Sequence, residues 1–190
     1  FFGERTAGKI LDVPKDTETQ KIGSAGVVGS GTMGGGIAMN FANAGIPVIV
    51  LDQDEKNLER GIGVIEKNYQ MMVDRGRLSQ EMKDGVMSLI TPSLNYEDLG
   101  DCDIVVEAVY ENLELKQEIF KKLDDVVKGD AILASNTSGL DIDAISSVTK
   151  RPEKVVGTHF FSPANIMRLL EIVRGEKTSK ETLATIMKLG

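Results

Sequence analysis

The sequence contains little cysteine and histidine, and it contains no tryptophan. Its 190 residues include one cysteine, Cys102, and one histidine, His159. A single cysteine excludes an internal disulfide and a zinc site built from several cysteines, and it is typical of proteins from a reducing compartment. With only one imidazole available as well, we expect no bound metal.

Long hydrophobic segments and an excess of positive charge are also absent. No apolar run approaches the roughly 18 residues of a membrane-spanning helix, and the N-terminus lacks the basic-then-apolar pattern of a secretory signal. The net charge is −7, which argues against non-specific binding to nucleic acid because such binding needs a basic surface. We therefore expect a soluble intracellular protein without a membrane span or a nucleic-acid partner.

Strand-like and helix-like segments alternate along most of the chain. Continuous apolar runs such as "IPVIVLD" and "CDIVVEAV" are separated by stretches of helical periodicity, and such runs fit parallel strands covered on both faces. The alternation predicts a Rossmann-type α/β fold, a doubly wound and mostly parallel sheet with helices on both faces. Residues 1–20 predict a helical start and a linker, and residues 21–190 predict one domain.

Three glycines in "VVGSGTMGGGIAMNF" follow the spacing G-x-G-x-x-G between a predicted strand and a predicted helix. Gly29 suits the tight turn, Gly31 lets the backbone approach a pyrophosphate, and Gly34 permits close packing of helix on strand. Asp52 ends the next predicted strand, where its carboxylate would accept a hydrogen bond from the adenosine ribose and repel a 2′-phosphate. The pattern predicts an NAD site, whereas the alternative is a glycine-rich turn beside an exposed aspartate.

The next two glycines of the same stretch, Gly35 and Gly36, are outside the motif. For them we expect close packing of the helix on the sheet.

Two titratable residues lie within apolar strand patterns of the C-terminal half. His159 is part of "KVVGTHFF", and Glu171 is part of "RLLEIVR", where alternation places it on the same face as Leu169 and Val173. Both side chains look buried, so each needs a partner, and we expect them to pair. A carboxylate on one ring nitrogen leaves the other free to take a proton. The alternative for His159 is a satisfied core histidine.

Polar residues follow two other predicted strands. Ser138 belongs to "ASNTSGL", and Glu107 and Glu111 belong to "EAVYEN". The carboxyl edge of an open parallel sheet is where ligands bind. Taken alone, however, ordinary turn chemistry or a helix N-cap explains the serine loop better than a ligand site does, and Glu107 and Glu111 are interpreted as exposed loop carboxylates.

Together, the glycine motif, Asp52, "SNTS", "HFFSP" and "RLLEIVRGEK" resemble the NAD-binding domain of the L-3-hydroxyacyl-CoA dehydrogenase family of fatty-acid β-oxidation, over about residues 21–190. The segment "HFFSPANIMRLLEIVRGEK" is most similar to multifunctional members, which join this domain to an enoyl-CoA hydratase. The leading "FFGERTAGKI" resembles the helix that enters from the hydratase part. The pattern differs from "HFFNP", the more frequent form in the family, only at Ser162.

The resemblance implies a reaction and three catalytic residues. An L-3-hydroxyacyl-CoA would be oxidised to a 3-oxoacyl-CoA, with His159 as the base, Glu171 as its partner acid and Ser138 holding the substrate oxygen. The resemblance also implies a C-terminal helical domain carrying a further active-site asparagine. We therefore expect the 190-residue chain to bind NAD(H) and to turn over acetoacetyl-CoA poorly.

Cofactor contacts and a CoA contact are implied in the same way. Met33 and Asp52 would meet the adenosine half of NAD, and Glu111 and Lys116 would lie near the nicotinamide. The helical pair over 55–87, with basic residues Lys67, Arg75 and Arg77, resembles the arm that meets CoA in the family. The alternative is a solvated basic face with Met71 and Met72 in the core.

Two other functions stay open at this point. One is another Rossmann-fold hydroxyacid dehydrogenase, although those families usually use a catalytic lysine. The second is a non-catalytic NAD-binding or structural protein, because lens crystallins related to this family are known. Peroxisome, mitochondrion and bacterial cytoplasm are equally open as locations.

Overall fold

The structure is a computed structural model that describes residues 10–190. Most of the predicted helical start, residues 1–9, lies outside the described residues. Residues 10–20 form turns and irregular segments without a helix or strand.

Strands and helices alternate as predicted from residue 25 onward. The strands are β1 (Ala25–Val28), β2 (Val48–Leu51), β3 (Ile90–Ser93), β4 (Ile104–Glu107), β5 (Ile132–Ser135), β6 (Val155–Phe160) and β7 (Leu170–Val173). The helices are α1 (Thr32–Asn43), α2 (Glu55–Asp74), α3 (Gln80–Met87), α4 (Leu113–Val126), α5 (Ile142–Ser146) and α6 (Lys180–Leu189). Short 3₁₀ turns at Tyr96–Leu99 and Pro152–Lys154 precede β4 and β6.

The strands form one sheet in the order β3-β2-β1-β4-β5-β6-β7. All neighbours are parallel except β6 and β7, which are antiparallel. The first six strands follow the Rossmann order, with its reversal between β1 and β4. The predicted Rossmann-type fold is confirmed.

Alternating strand residues supply two apolar layers, one on each face of the sheet. Val27 and Val106 pack with α1, α2 and α6, while Val28 and Val105 pack with α4 and α5. This double coverage explains why the central strands are apolar on both faces. Among residues 10–190 no helix is long and apolar enough to cross a membrane.

Helix α1 packs closely on more than the sheet. A Cβ on Gly35 would lie 3.5 Å from Ile65 of α2, and a Cβ on Gly36 would lie 3.0 Å from the Cβ of Ala164. Ala164 belongs to the connector between β6 and β7 (residues 161–169), and Asn40 of α1 donates a hydrogen bond to its carbonyl at 3.0 Å. The expectation that Gly35 and Gly36 face the sheet is wrong, because their side of the helix faces α2 and this connector.

Candidate active site

The turn from β1 into α1 requires glycine at two of its motif positions. Gly29 has φ of +102°, a left-handed conformation, and a Cβ there would lie 2.8 Å from the carbonyl oxygen of Ala108. A Cβ on Gly34 would lie 1.8 Å from the carbonyl oxygen of Gly29. The close contact of helix and strand therefore depends on both glycines.

Gly31 differs from these two glycines because a side chain would fit at its position among the described residues. No heavy atom of the described residues lies within 4 Å of a Cβ built there. Gly31 is the N-cap of α1 and offers no side chain to the amides of the first turn. The backbone is therefore open where a helix N-terminus can hold a phosphate anion.

Asp52 follows β2 at the same edge of the sheet. Its Oδ2 accepts hydrogen bonds from the Ser30 amide at 3.0 Å and the Ser30 hydroxyl at 2.7 Å, and its Oδ1 accepts from the Asp54 amide at 3.2 Å. Burial raises the pKa of Asp52, but these hydrogen bonds outweigh it and bring the pKa below its ordinary value. The carboxylate is therefore charged at neutral pH.

A cleft of about 480 Å³ joins these elements. Gly29, Gly31 and Asp52 line it together with Val109 and Tyr110, which follow β4. It lies at the carboxyl edge of the sheet beside the reversal of strand order, where doubly wound folds bind dinucleotides. Met33 is half-buried in the first turn of α1 and is not among the residues that line this cleft.

A buried ion pair lies under the loop that follows β4. The Nζ of Lys116 on α4 donates to both carboxylate oxygens of Glu107, at 2.7 and 2.9 Å, and both side chains are fully buried. The Ser135 hydroxyl and the Val109 amide also donate to Glu107 at 2.7 Å. Burial raises the pKa of Glu107 although Lys116 opposes this. The interpretation of Glu107 as an exposed loop carboxylate is wrong, since α4 covers it.

Glu111 connects this ion pair to Ser138. Lys116 also donates to the Asn136 carbonyl at 3.1 Å and lies 3.5 Å from Oε2 of Glu111. The other oxygen of Glu111 accepts from the Thr137 hydroxyl and from the amide of Ser138 at 3.0 Å, with the Ser138 hydroxyl at 3.3 Å. The loop that carries Ser138 is therefore held by a carboxylate from the neighbouring strand end.

Electrostatics favour the charged form of Glu111. Burial raises its pKa, but the Thr137 hydroxyl, the Ser138 amide and the Lys116 charge together lower it below the ordinary value. A sequence signal for the buried lysine does exist, since Lys116 shares the i, i+3, i+4, i+7 stripe with Ile119, Phe120 and Leu123.

His159 and Glu171 face each other across the antiparallel pair β6–β7. Their Cα atoms are register partners, and Nδ1 of His159 lies 2.8 Å from Oε2 of Glu171. Because a carboxylate only accepts, Nδ1 carries the proton and Nε2 is left as the second ring nitrogen. The Phe161 ring packs against the imidazole with centroids 4.7 Å apart. The predicted pairing is present in the structure.

The expected burial of this pair is wrong. The His159 side chain is 24% exposed and that of Glu171 is 54% exposed. Strand β7 is the edge of the sheet, and Glu171 shares its outward face with Leu169 and Val173, which are also exposed. The predicted alternation of β7 is therefore present, but the strand face that carries Glu171 is exposed to solvent instead of buried.

The predicted arm is a helical hairpin of α2 and α3. Its basic residues Lys67, Arg75 and Arg77 are exposed. Met71 and Met72 are 41% and 37% exposed, so the alternative that places them in the core is wrong. The hairpin presents both basic and apolar side chains to solvent.

The glycine turn, the charged aspartate and the histidine–glutamate pair all lie at the carboxyl edge of one Rossmann sheet. These features define a class, the dinucleotide-binding domain of a dehydrogenase. Comparison with known families agrees with this class. The family described as "3-hydroxyacyl-CoA dehydrogenase, NAD binding domain" matches residues 24–190. The chain therefore belongs to the 3-hydroxyacyl-CoA dehydrogenase family as its NAD-binding domain.

Individual relatives support the same assignment. The chain is 43% identical over 191 residues to the peroxisomal fatty acid beta-oxidation multifunctional protein MFP2 of Arabidopsis thaliana, and the match covers 100% of this chain and 26% of that protein. It is 41% identical over 163 residues to the 3-hydroxybutyryl-CoA dehydrogenase of Clostridioides difficile, covering 86% and 58% of the two chains. The crystal structure of M. tuberculosis FadB2 superposes with a TM-score of 0.86 at 38% identity, covering 89% of this chain and 60% of that one.

The similarity to multifunctional β-oxidation proteins expected from the sequence is confirmed, as is NAD as the cofactor of the domain. The chain spans about a quarter of the length of the multifunctional relative from Arabidopsis thaliana.

Proposed function

We propose that this chain is the NAD-binding part of an enzyme that oxidises L-3-hydroxyacyl-CoA to 3-oxoacyl-CoA in fatty-acid β-oxidation. The observation that carries the proposal is the 2.8 Å contact of His159 Nδ1 with Glu171 at the ligand-binding edge of a dinucleotide fold. In full length the protein would also contain an enoyl-CoA hydratase and a C-terminal helical domain, and it would be intracellular. Its relatives' lengths and names support this proposal.

The described residues fit the cofactor. The open space at Gly31 and the uncapped first turn of α1 suit a pyrophosphate, and Asp52 offers a charged acceptor to the ribose. By the family resemblance Glu111 and Lys116 would lie near the nicotinamide half, with the fully buried Lys116 behind Glu111, and Met33 would lie near the adenosine half. When bound, NAD supplies the acceptor for the hydride that leaves C3 of the substrate.

In the proposed reaction the chain moves one proton. The second ring nitrogen of His159, Nε2, takes the proton of the substrate hydroxyl, because Nδ1 is engaged by Glu171. The Glu171 carboxylate then stabilises the imidazolium, and Ser138 donates a hydrogen bond to the substrate oxygen. The contact of Glu111 with the Ser138 amide fixes the backbone at that position.

The test is NADH oxidation with acetoacetyl-CoA by the full-length protein and its His159→Gln variant. We expect the variant to lose about 10²-fold or more in turnover and to retain its affinity for NADH. Unchanged turnover would remove His159 as the base. A wild-type protein that binds NADH but oxidises none of it with acetoacetyl-CoA would favour the non-catalytic alternative.

A second comparison separates the proposed substrate class from that of other hydroxyacid dehydrogenases. The full-length protein is assayed with 3-hydroxybutyryl-CoA and with free 3-hydroxybutyrate. We expect turnover with the CoA thioester only, and equal turnover of the free acid would contradict the proposed substrate class.

A further inference from the structure

Ser30, between the first two glycines of the motif, is a buried polar residue. Its exposed fraction is 4%. Both its amide and its hydroxyl reach Oδ2 of Asp52, at 3.0 and 2.7 Å. A carboxylate oxygen has two lone pairs, so these two donors use the hydrogen-bonding capacity of Oδ2.

The other oxygen of Asp52 has capacity left. Oδ1 accepts a hydrogen bond from the amide of Asp54 at 3.2 Å, and the adjacent Gln53 amide also lowers the pKa of the carboxyl group. Oδ1 has no side-chain hydroxyl donor among the described residues, so it is the less engaged oxygen in the cleft that Asp52 lines. Ser30 thus determines which of the two carboxylate oxygens is available.

Ser30 packs against Gly61 of α2, where only a glycine leaves enough space. A Cβ on Gly61 of α2 would lie 2.3 Å from the Ser30 carbonyl oxygen and 2.7 Å from its Cβ. The Ser30 hydroxyl also lies 3.0 Å from the carbonyl oxygen of Asn57. It has one proton to donate, and the charged carboxylate of Asp52 is the stronger acceptor.

We propose that Ser30 is a positioning residue that orients Asp52 toward the adenosine ribose and thereby strengthens the preference for NAD over NADP. Held by Ser30, the carboxylate presents Oδ1 to a ribose hydroxyl and cannot rotate away from a 2′-phosphate. The inference rests on the proposed function, since it requires Asp52 to be the ribose acceptor. The lowered pKa of Asp52 agrees with it, because the Ser30 hydrogen bonds favour the charged form.

The experiment measures dissociation constants of NADH and NADPH by nucleotide fluorescence on the full-length protein. The variants are Ser30→Ala, Asp52→Ala and the double substitution. We expect Ser30→Ala to weaken NADH binding about 5-fold and to narrow the NADH:NADPH affinity ratio about 10-fold, the range for loss of one typical hydrogen bond, because the amide at position 30 still donates to Asp52. In the Asp52→Ala background Ser30→Ala should change neither the NADH affinity nor the NADH:NADPH affinity ratio, because Ser30 acts through Asp52.

Two further variants separate hydrogen bonding from packing. Ser30→Cys keeps a side chain of similar size with a weak donor, so we expect it to behave like Ser30→Ala. Ser147→Ala is the matched control, since Ser147 is exposed and donates only to the local Ala144 carbonyl. A role of Ser30 in packing alone would lower the affinities for both nucleotides equally and leave their ratio unchanged.

The outcomes of the two proposals are distinguishable. The NADH:NADPH affinity ratio can narrow in Asp52→Ala but not in Ser30→Ala or Ser30→Cys. That result overturns the inference about Ser30, while the proposed role of Asp52 stands. If Asp52→Ala alters neither NADH affinity nor the ratio, the proposed ribose contact itself is wrong.

Discussion

Lys116 and Glu107 form an ion pair in which both side chains are fully buried, with Nζ 2.7 Å from Oε1. Removal of one partner would leave an uncompensated charge in the core. We expect Lys116→Met to lower the free energy of unfolding by about 3–5 kcal/mol. Urea denaturation followed by circular dichroism measures this change.

The exposed ion pair of Lys150 and Asp125 provides the matched control, since Nζ and Oδ1 are 2.8 Å apart, a distance similar to that of the buried pair. Its side chains are 80% and 67% exposed, so Lys150→Met should leave the urea midpoint almost unchanged. Equal effects of the two substitutions would show that burial of the Lys116 pair has no energetic consequence.

Gly34→Ala should lower the stability of the fold, whereas Gly31→Ala should weaken NADH binding. At Gly34 the new Cβ meets the Gly29 carbonyl at 1.8 Å, so we expect a loss of stability of about 1–3 kcal/mol. At Gly31 the new Cβ meets nothing within 4 Å, so we expect normal stability but NADH binding weaker by about tenfold or more, at least about 1.4 kcal/mol. Thermal melts and NADH titration on the same samples separate the two effects.

Gly63→Ala is the control for both glycine variants. Gly63 is exposed in α2, and a Cβ there meets nothing within 4 Å. Alanine should stabilise the protein by about 0.5–1 kcal/mol and leave NADH affinity unchanged. If Gly31→Ala bound NADH as tightly as this control, the backbone at Gly31 would not contact the cofactor.

Glu111 should contribute to the acid dependence of stability. Its pKa lies below the ordinary value in the folded state because the Thr137 hydroxyl, the Ser138 amide and Lys116 outweigh the effect of burial. A lowered pKa stabilises the fold above the unfolded value of about 4.3, and this contribution is lost as pH falls through the folded pKa. The stability difference between wild type and Glu111→Gln should therefore be constant near neutral pH and shrink in acid.

Denaturation midpoints collected from neutral to acid pH measure this difference, with Glu118→Gln as the control for loss of a charge on the exposed face of α4. A difference that grows as the pH falls would contradict the assigned direction.

Cys102 should be unreactive in the native state. The thiol is 2% exposed, and burial raises its pKa to about 11. At about pH 8 the thiolate fraction is then lower by about a hundredfold than in an exposed cysteine. Labelling with a disulfide reagent should be complete in concentrated urea and negligible without it. Rapid labelling of the native chain would require an opening that exposes Cys102.

The fold was predictable from local patterns because the central strands are apolar on both faces and because the turn requires glycine at Gly29 and Gly34. The cofactor followed from the spacing of Gly29, Gly31 and Gly34 and from Asp52 at the end of the next strand. The pairing of His159 with Glu171 followed from their chemistry. The solvent exposure of His159 and Glu171 was not predictable from the sequence. Strand alternation shows that the two faces of a strand differ, but it does not show which strand lies at the edge of the sheet.

The missed features of the site all depend on contacts distant in sequence. The burial of Glu107 requires Lys116 from the next helix, and the engagement of Asp52 requires Ser30 from the previous turn. The helical stripe of α4 indicates that Lys116 is buried, but no sequence period shows that it pairs with Glu107 or that Ser30 pairs with Asp52. The roles of the predicted site residues in catalysis and cofactor binding stay predictions.

Helix α1 touches two parts of the site at once. Its first turn lies at the phosphate position, while Gly36 and Asn40 hold the connector at Ala164. That connector joins the strand of His159 to the strand of Glu171. The glycine turn and the two strands of the His159–Glu171 pair are therefore braced by the same helix, and a displacement of α1 along its axis would shift the backbone at Gly31 and the connector together.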